Sequence, residues 1–106
     1  MTTIISVTAD LPFTEYTAST FTDGDGCPNI GWGSSGSVDE CIQSCRNKEG
    51  CTGVNFSPTV PDCVMRGCPV PVPAPSGETL AGGYSAYAVE ITQGMLIMYL
   101  LPSHVY

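Results

Sequence analysis

Residues 37–56 read SVDECIQSCRNKEGCTGVNF, and this stretch decides the fold class. Ser37 and Glu40 stand three positions apart, which is the capping-box pattern that begins a helix at Ser37. An apolar stripe at helical spacing follows, formed by Val38, Cys41, Ile42 and Cys45. Two basic residues in the last turn suit the helix dipole, and Gly50 suits a left-handed C-terminal position. The pattern predicts a helix over about 38–49.

Strand-like segments surround this helix along the chain. The clearest are rich in β-branched or aromatic residues and are bounded by proline or glycine turns, and they cover 51–56, 62–66 and 84–91. Residues 4–8 and 95–101 have a similar composition near the two ends. Residues 69–75 carry proline at every second position and predict a polyproline-like loop. We therefore predict an α+β domain in which one helix packs on a small antiparallel β-sheet.

Composition divides the chain into three parts. Residues 1–22 are rich in threonine and serine, contain no basic residue and are predicted to form a β-prone N-terminal arm. Residues 23–90 contain all six cysteines and all three basic residues, and they form the predicted core. Residues 91–106 are almost entirely uncharged and apolar, and they form a predicted C-terminal arm.

Charge and composition exclude several classes of function. Ten acidic against three basic residues give a net charge of −7, which repels nucleic acids and anionic membranes. Twelve glycines, nine prolines and six cysteines in 106 residues are typical of a small disulfide-stapled extracellular domain. No apolar run reaches the roughly 18 residues that cross a bilayer, so we expect no transmembrane segment. No signal peptide is visible either, and we expect that Met1 is not the natural start or that a leader precedes it.

Residues that carry catalysis or bind metals are few. His104 is the only histidine, and no surrounding pattern supports nucleophilic catalysis. Asp39 and Glu40 lie in the first turn of the predicted helix, where the helix dipole explains them. The chain has no Cys-x2-Cys pair for zinc, and Asp-Gly-Asp-Gly at 23–26 lacks the later ligands of a calcium loop and is interpreted as a turn. We expect no enzymatic activity, no metal and no cofactor.

Trp32 is the candidate ligand contact. It lies in Asn-Ile-Gly-Trp-Gly at 29–33, where the flanking glycines let a ligand approach the indole, and an aromatic face can stack on a sugar ring. The alternative interpretation is that Trp32 packs beneath its own loop beside Cys27.

Two kinds of glycosylation site are candidates. Asn55-Phe56-Ser57 matches the N-glycosylation sequon, although Pro58 follows and Asn55 lies in a predicted strand, which favours an unoccupied site. The N-terminal arm offers hydroxyls for O-glycans at Thr2, Thr3, Ser6, Thr8, Thr14, Thr17, Ser19, Thr20 and Thr22.

The C-terminal arm contains the most unusual stretch of the chain. Residues 95–101 are seven consecutive apolar residues with no charge and no proline, which is an aggregation hazard if they are exposed. We expect this stretch to be buried, either on its own domain or on a neighbour by strand addition. Repeated head to tail, the second arrangement gives an open filament. The residues predicted to carry assembly are Ile4, Ile5, Val7, Met95, Leu96, Ile97, Met98, Tyr99, Leu100 and Leu101.

A family resemblance adds to this interpretation. The block Cys41-x3-Cys45-x5-Cys51-x-Gly53-x-x-Phe56, followed by Cys63, resembles the PAN/Apple domain, and the resemblance covers about 23–90. Six cysteines allow fifteen pairings. The resemblance implies the pairs Cys41–Cys63 and Cys45–Cys51, and with these taken, Cys27 pairs with Cys68.

Together these features predict an extracellular, non-enzymatic interaction module. The preferred version is a structural subunit that self-assembles through its terminal arms into a fibre or polymer. The alternative is a monomeric carbohydrate- or protein-binding PAN/Apple module, which uses Trp32 while its arms complete its own sheet. The expected partners are further copies of the chain, glycans or extracellular proteins.

Overall fold

The computed structural model describes residues 11–78 and 83–90. The strands in these residues are β1 (Phe13–Tyr16), β2 (Ser19–Thr20), β3 (Asn29–Trp32), β4 (Gly53–Ser57), β5 (Asp62–Arg66), β6 (Gly77–Glu78) and β7 (Ser85–Val89). One α-helix, α1 (Val38–Arg46), lies between β3 and β4, and a 3₁₀ turn covers Asp23–Asp25. The predicted strands at 4–8 and 95–101 lie outside the described residues.

Helix α1 begins where the sequence predicts it to begin. Ser37 has extended backbone angles, and its Oγ accepts a hydrogen bond from Glu40 N at 3.1 Å. The helix ends at Arg46, three residues earlier than predicted. The disulfide from Cys45 to Cys51 explains the early end, because its Cα atoms lie only 5.2 Å apart and the chain must reverse within the intervening residues. Gly50 lies in that turn with φ of +85°.

Five strands form one antiparallel sheet in the order β1-β7-β4-β5-β3, and β2 pairs with β6 separately. β5 matches its predicted range, whereas β4 and β7 are shorter than the predicted 51–56 and 84–91. Residues 69–75 contain no helix or strand, as the proline pattern predicts. This arrangement confirms a small α+β domain with one helix and an antiparallel sheet in the described residues.

The boundary predicted between an N-terminal arm and the core requires correction. Residues 1–22 are predicted to be an arm, but Phe13–Tyr16 pair with β7 as a strand of the main sheet. Phe21 is almost fully buried, with 1% of its surface exposed. The threonine-rich composition did not indicate that these residues belong to the core, because β1 is an edge strand and only part of it packs on the core. The folded core therefore includes residues from Phe13 onward.

The sheet separates two apolar clusters. Between the sheet and α1 lie Cys41, Cys45, Cys51, Val54, Phe56, Cys63 and Met65. On the opposite face lie Phe21, Cys27, Cys68, Ala86 and Ala88. Successive strand residues point to opposite faces, which is why both faces of β4 are buried.

Three disulfides join these layers. Cys41–Cys63 ties α1 to β5, Cys45–Cys51 closes the turn after the helix, and Cys27–Cys68 joins the segment before β3 to the segment after β5. These are the pairs that the family resemblance implies. All six cysteines are used, so none is a free thiolate.

Candidate functional site

The two ends of the described body lie side by side. Glu90 N donates a hydrogen bond to Pro12 O at 2.9 Å, just beyond the paired ends of β1 and β7. Arg46 holds the incoming segment from the helix side, since its Nη1 donates to Leu11 O at 2.7 Å and its guanidinium lies 5.0 Å from the Phe13 ring centroid. Residues 1–10 and residues 91–106 therefore join the folded body at adjacent points.

β1 leaves one side of its backbone without a strand partner among the described residues. The bond from Glu90 to Pro12 and the pairing of Thr14 with Ala88 identify the hydrogen-bonded pairs of this ladder. Because such pairs alternate in antiparallel sheets, the backbone N–H and C=O groups of Phe13 and Glu15 point away from β7. This edge presents two residues whose backbone can accept an added strand.

The Glu15 side chain is fixed on this edge strand by a neighbour. Tyr87 donates its hydroxyl hydrogen to Glu15 Oε2 at 3.0 Å. Burial, together with this hydrogen bond and the negative charge of Glu15, raises the pKa of Tyr87 to about 12. The phenol therefore remains a donor at neutral pH.

Trp32 lies at the opposite edge of the sheet, on β3. Its side chain is 68% exposed, so it does not pack beneath its own loop beside Cys27. The register places Trp32 directly opposite Val64 of β5. Gly33 is required by the close approach of the helix, since a Cβ there would lie 2.5 Å from Ser44 Cβ. The chain thus brings Trp32 to the surface while the next residue packs tightly.

A cleft of about 590 Å³ opens on the sheet face opposite α1 and is lined in part by Val64, the residue paired with Trp32. Its lining consists of Thr20, Phe21, Thr22, Asp23, Gly24, Asn55, Asp62, Val64, Arg66 and Tyr84. The sequence pattern identified Trp32 as a ligand contact, but it singled out Thr20, Thr22 and Asn55 only as glycosylation candidates and none of the lining residues as a ligand contact. Side chains alternate between the two faces of a strand, so the sequence of β5 places Asp62, Val64 and Arg66 on one face. This alternation is the signal that could have indicated the cleft.

Two polar pairs line this cleft. Tyr84 donates its hydroxyl hydrogen to Asp62 Oδ2 at 2.6 Å, and this bond, with burial and the charge of Asp62, raises the pKa of Tyr84 to about 12. Arg66 Nη1 donates to Cys27 O at 2.9 Å and to Asp23 Oδ1 at 3.3 Å. The cleft therefore presents carboxylate acceptors at Asp62 and Asp23 and a guanidinium donor at Arg66.

The turn at residues 22–26 is built around Asp25. Its Oδ2 accepts hydrogen bonds from Thr22 N at 3.0 Å and from Ser76 N at 3.1 Å. Burial acts to raise the pKa of Asp25, but the hydrogen bonds from Ser76 and Thr22 outweigh it and lower the pKa below 3.8. This carboxylate is used to hold the turn, as the interpretation of Asp-Gly-Asp-Gly as a turn expects. Within residues 11–78 and 83–90, no group of three or more acidic, histidine or cysteine residues is arranged around a metal position.

Asn55 is not an accessible glycosylation site. It is 3% exposed, and its side chain bonds the backbone of Phe21 twice, with Oδ1 accepting from Phe21 N at 2.8 Å and Nδ2 donating to Phe21 O at 3.1 Å. A glycan on Nδ2 has no room in this buried position. The candidate N-glycosylation site is therefore inaccessible in the folded domain, which agrees with the expectation of an unoccupied site, and Asn55 has a structural role.

The remaining candidate residues fall into two groups. Thr17 is exposed, and Thr14 and Thr20 are partly exposed, so their hydroxyls remain candidates for O-glycans. Outside the described residues lie Thr2, Thr3, Thr8 and His104, as well as all the predicted assembly residues: Ile4, Ile5, Val7, Met95, Leu96, Ile97, Met98, Tyr99, Leu100 and Leu101.

Comparison of the chain with models of known protein families, with curated proteins and with solved structures found no match. In the part of the chain that the structure describes, no helix has the length and apolar character required to cross a membrane.

Proposed function

We propose that the protein is a non-enzymatic, PAN/Apple-like interaction domain, secreted or displayed at a cell surface, that self-associates through its terminal segments into a fibre or polymer. One observation carries the proposal, which is that both terminal segments join the body beside β1, whose other side is paired with no strand of the described residues. Three disulfides support an extracellular setting, because such bonds persist in oxidising compartments.

Segment 95–101 supplies the driving force for association. It has seven apolar residues and no charge, and burying them against a neighbour removes a large apolar surface from water. Residues 91–94 connect it to Glu90, next to the β1 edge. The outward N–H and C=O groups of Phe13 and Glu15 give an added strand its backbone partners.

We propose addition in one direction rather than a reciprocal exchange of segments between two copies, which would close a dimer. In this arrangement the donor is a C-terminal segment and the acceptor is the β1 edge of the next copy, so the interface is heterologous. Interfaces of this kind extend without limit unless their rotation closes a ring. We expect filaments or a distribution of oligomers.

A charge substitution in the apolar segment tests the proposal. Ile97→Lys introduces a charge into the centre of segment 95–101, and we expect the oxidised full-length chain to sediment as a monomer. Val60→Lys is the matched control, because Val60 is an apolar residue that is already 54% exposed on the described body. The proposed role of the segment is contradicted if the Ile97→Lys chain still assembles. It is also contradicted if Val60→Lys disrupts assembly as strongly as Ile97→Lys does.

A second candidate is favoured by the exposure of Trp32. A monomeric carbohydrate- or protein-binding module would use this indole as its contact, and its 68% exposure leaves the aromatic face accessible to a ligand. Comparing Trp32→Ala with Trp32→Tyr in a binding assay tests this candidate, since only tyrosine retains an aromatic face. Binding that is unchanged by Trp32→Ala rejects it.

A further inference from the structure

We propose that the cleft beside Trp32, on the sheet face opposite α1, binds a neutral carbohydrate of one or two sugar rings. The proposal rests on the second candidate function and is independent of self-association, because the cleft and the β1 edge belong to different parts of the sheet.

The strand register places Trp32 next to the floor of the cleft. Cys63 and Met65 point towards α1, so Val64 between them faces the opposite side and lines the cleft. Trp32 is paired directly with Val64. Their Cβ atoms are therefore about 4.5–5.5 Å apart on the same face. Trp32 does not itself line the cleft, but its exposed side chain lies beside Val64 and offers a flat surface on which a sugar ring can stack.

The polar pairs of the cleft suit hydroxyl groups. A sugar hydroxyl both donates and accepts, and the two pairs together meet both needs. The Asp62–Tyr84 pair offers acceptor oxygens, because the phenol hydrogen is donated to Asp62, and the Arg66 guanidinium offers donors beside the Asp23 carboxylate. A carboxylate offers about four acceptor positions, so the bond from Tyr84 leaves Asp62 able to accept from a ligand. Asp62, Tyr84 and Arg66 are hydrogen-bonded within the protein before a ligand arrives, which lowers the entropy cost of binding.

The charge of the cleft favours a neutral sugar over an anionic glycan and over a basic peptide. The cleft contains two carboxylates and one guanidinium, and the guanidinium already bonds to Asp23, so a sulfated or carboxylated glycan meets a net negative rim. A basic peptide finds only one carboxylate without a cationic partner, Asp62, because Asp23 is already paired with Arg66. A neutral polyol needs no charge partner.

The volume is consistent with this class of ligand. About 590 Å³ lies within the range of roughly 300–1,000 Å³ that small-ligand sites occupy. The open side of the cleft and the exposed Trp32 leave room for a longer chain to continue along the surface.

Trp32 is the only tryptophan, so its fluorescence reports directly on this site. The titration uses the oxidised Ile97→Lys chain, which is expected to be monomeric, and the Val60→Lys chain as its control. The neutral ligands are lactose, maltose, cellobiose and chitobiose. A sulfated heparin disaccharide and a lysine-rich peptide serve as charged probes. We expect at least one neutral disaccharide to give a saturable fluorescence shift, and both charged probes to give none.

Three variants test whether the sugar binds in this cleft. Amide NMR shifts or calorimetry measure the affinity of each variant. Trp32→Ala and Asp62→Ala are expected to weaken it by about tenfold or more. Trp32→Tyr is expected to retain most of it, and circular dichroism checks that each variant is folded. Binding that is unaffected by both alanine variants overturns the assignment to this cleft.

The remaining outcomes separate the cleft proposal from the function on which it rests. A saturable response to the peptide alone, or to the sulfated disaccharide alone, overturns the neutral-sugar proposal while leaving a binding module. No response to any probe overturns the neutral-sugar proposal as well. The mass of the unmodified chain, measured separately, decides self-association whatever the ligand result.

Discussion

At the scale of single residues, Asn55 shows how a sequence motif can conceal a structural role. Its position in a sequon invites a functional interpretation, yet both ends of its amide bind the backbone of Phe21. This pair of bonds holds the 17–22 segment across the sheet face opposite α1. A buried asparagine in the middle of a strand costs free energy unless it is fully hydrogen-bonded, and here the bonds are satisfied by a segment 34 residues away.

Replacing Asn55 by alanine should therefore destabilise the domain. We expect Asn55→Ala to lower the free energy of unfolding by about 2–4 kcal/mol, because the N–H and C=O of Phe21 remain buried without partners. Urea unfolding followed by circular dichroism measures this. Asn47→Ala, at the exposed end of α1, is the control and should change stability by less than about 0.5 kcal/mol. Equal effects of the two variants contradict the role assigned to Asn55.

Asp25 makes a prediction about pH. Its pKa is lower in the folded chain than the ordinary value of 3.8, so its contribution to stability is complete above that pH and is lost as the pH falls through the folded pKa. Asp25→Asn removes the titrating group. We expect the variant to be less stable than the parent near neutral pH and to lose less stability than the parent on acidification below 3.8. Urea unfolding at several pH values measures both, and parallel acid profiles contradict the prediction.

At the scale of elements, the local sequence predicts some helix and strand boundaries correctly and misses others. The start of α1 depends on one capping residue and an apolar stripe, and β5 depends on five consecutive residues, so both are visible in the sequence. β3 contains a glycine with φ of +143° and an irregular register, and it is a strand only because β5 pairs with it. The end of α1 depends on a disulfide partner beyond the helix. Trp32 could be singled out from its glycines, whereas the cleft depends on Tyr84 and Asp62 meeting across 22 residues of chain.

The three disulfides differ in the length of chain that they close. Cys27–Cys68 spans 41 residues, whereas Cys45–Cys51 spans only 6. The Cys41–Cys63 disulfide lies within the longer loop and shortens its effective length. We therefore expect alanine replacement of the Cys27–Cys68 pair to cost about 3 kcal/mol of stability, and of the Cys45–Cys51 pair about 2 kcal/mol. Denaturant unfolding of the two double variants measures the order. A larger loss for the short loop contradicts the chain-entropy explanation.

At the scale of the whole molecule, the two candidate functions use different regions. The N-terminal segment joins the body before β1 and the C-terminal segment joins it after the neighbouring β7, whereas Trp32 lies on β3 at the other edge of the five-stranded sheet. Ligand binding and self-association can therefore coexist, and a substitution in one region should leave the other unaffected. The low charged fraction of 12% is consistent with a surface that is partly covered by neighbours.

The central claim is self-association through the terminal segments, and the particle mass of the oxidised full-length chain tests it most directly. Light scattering and sedimentation velocity over a wide concentration range give that mass. The account predicts particles well above 11.1 kDa that grow with concentration, with regular filaments in negative-stain images. A uniform 11.1 kDa monomer at every concentration would contradict it.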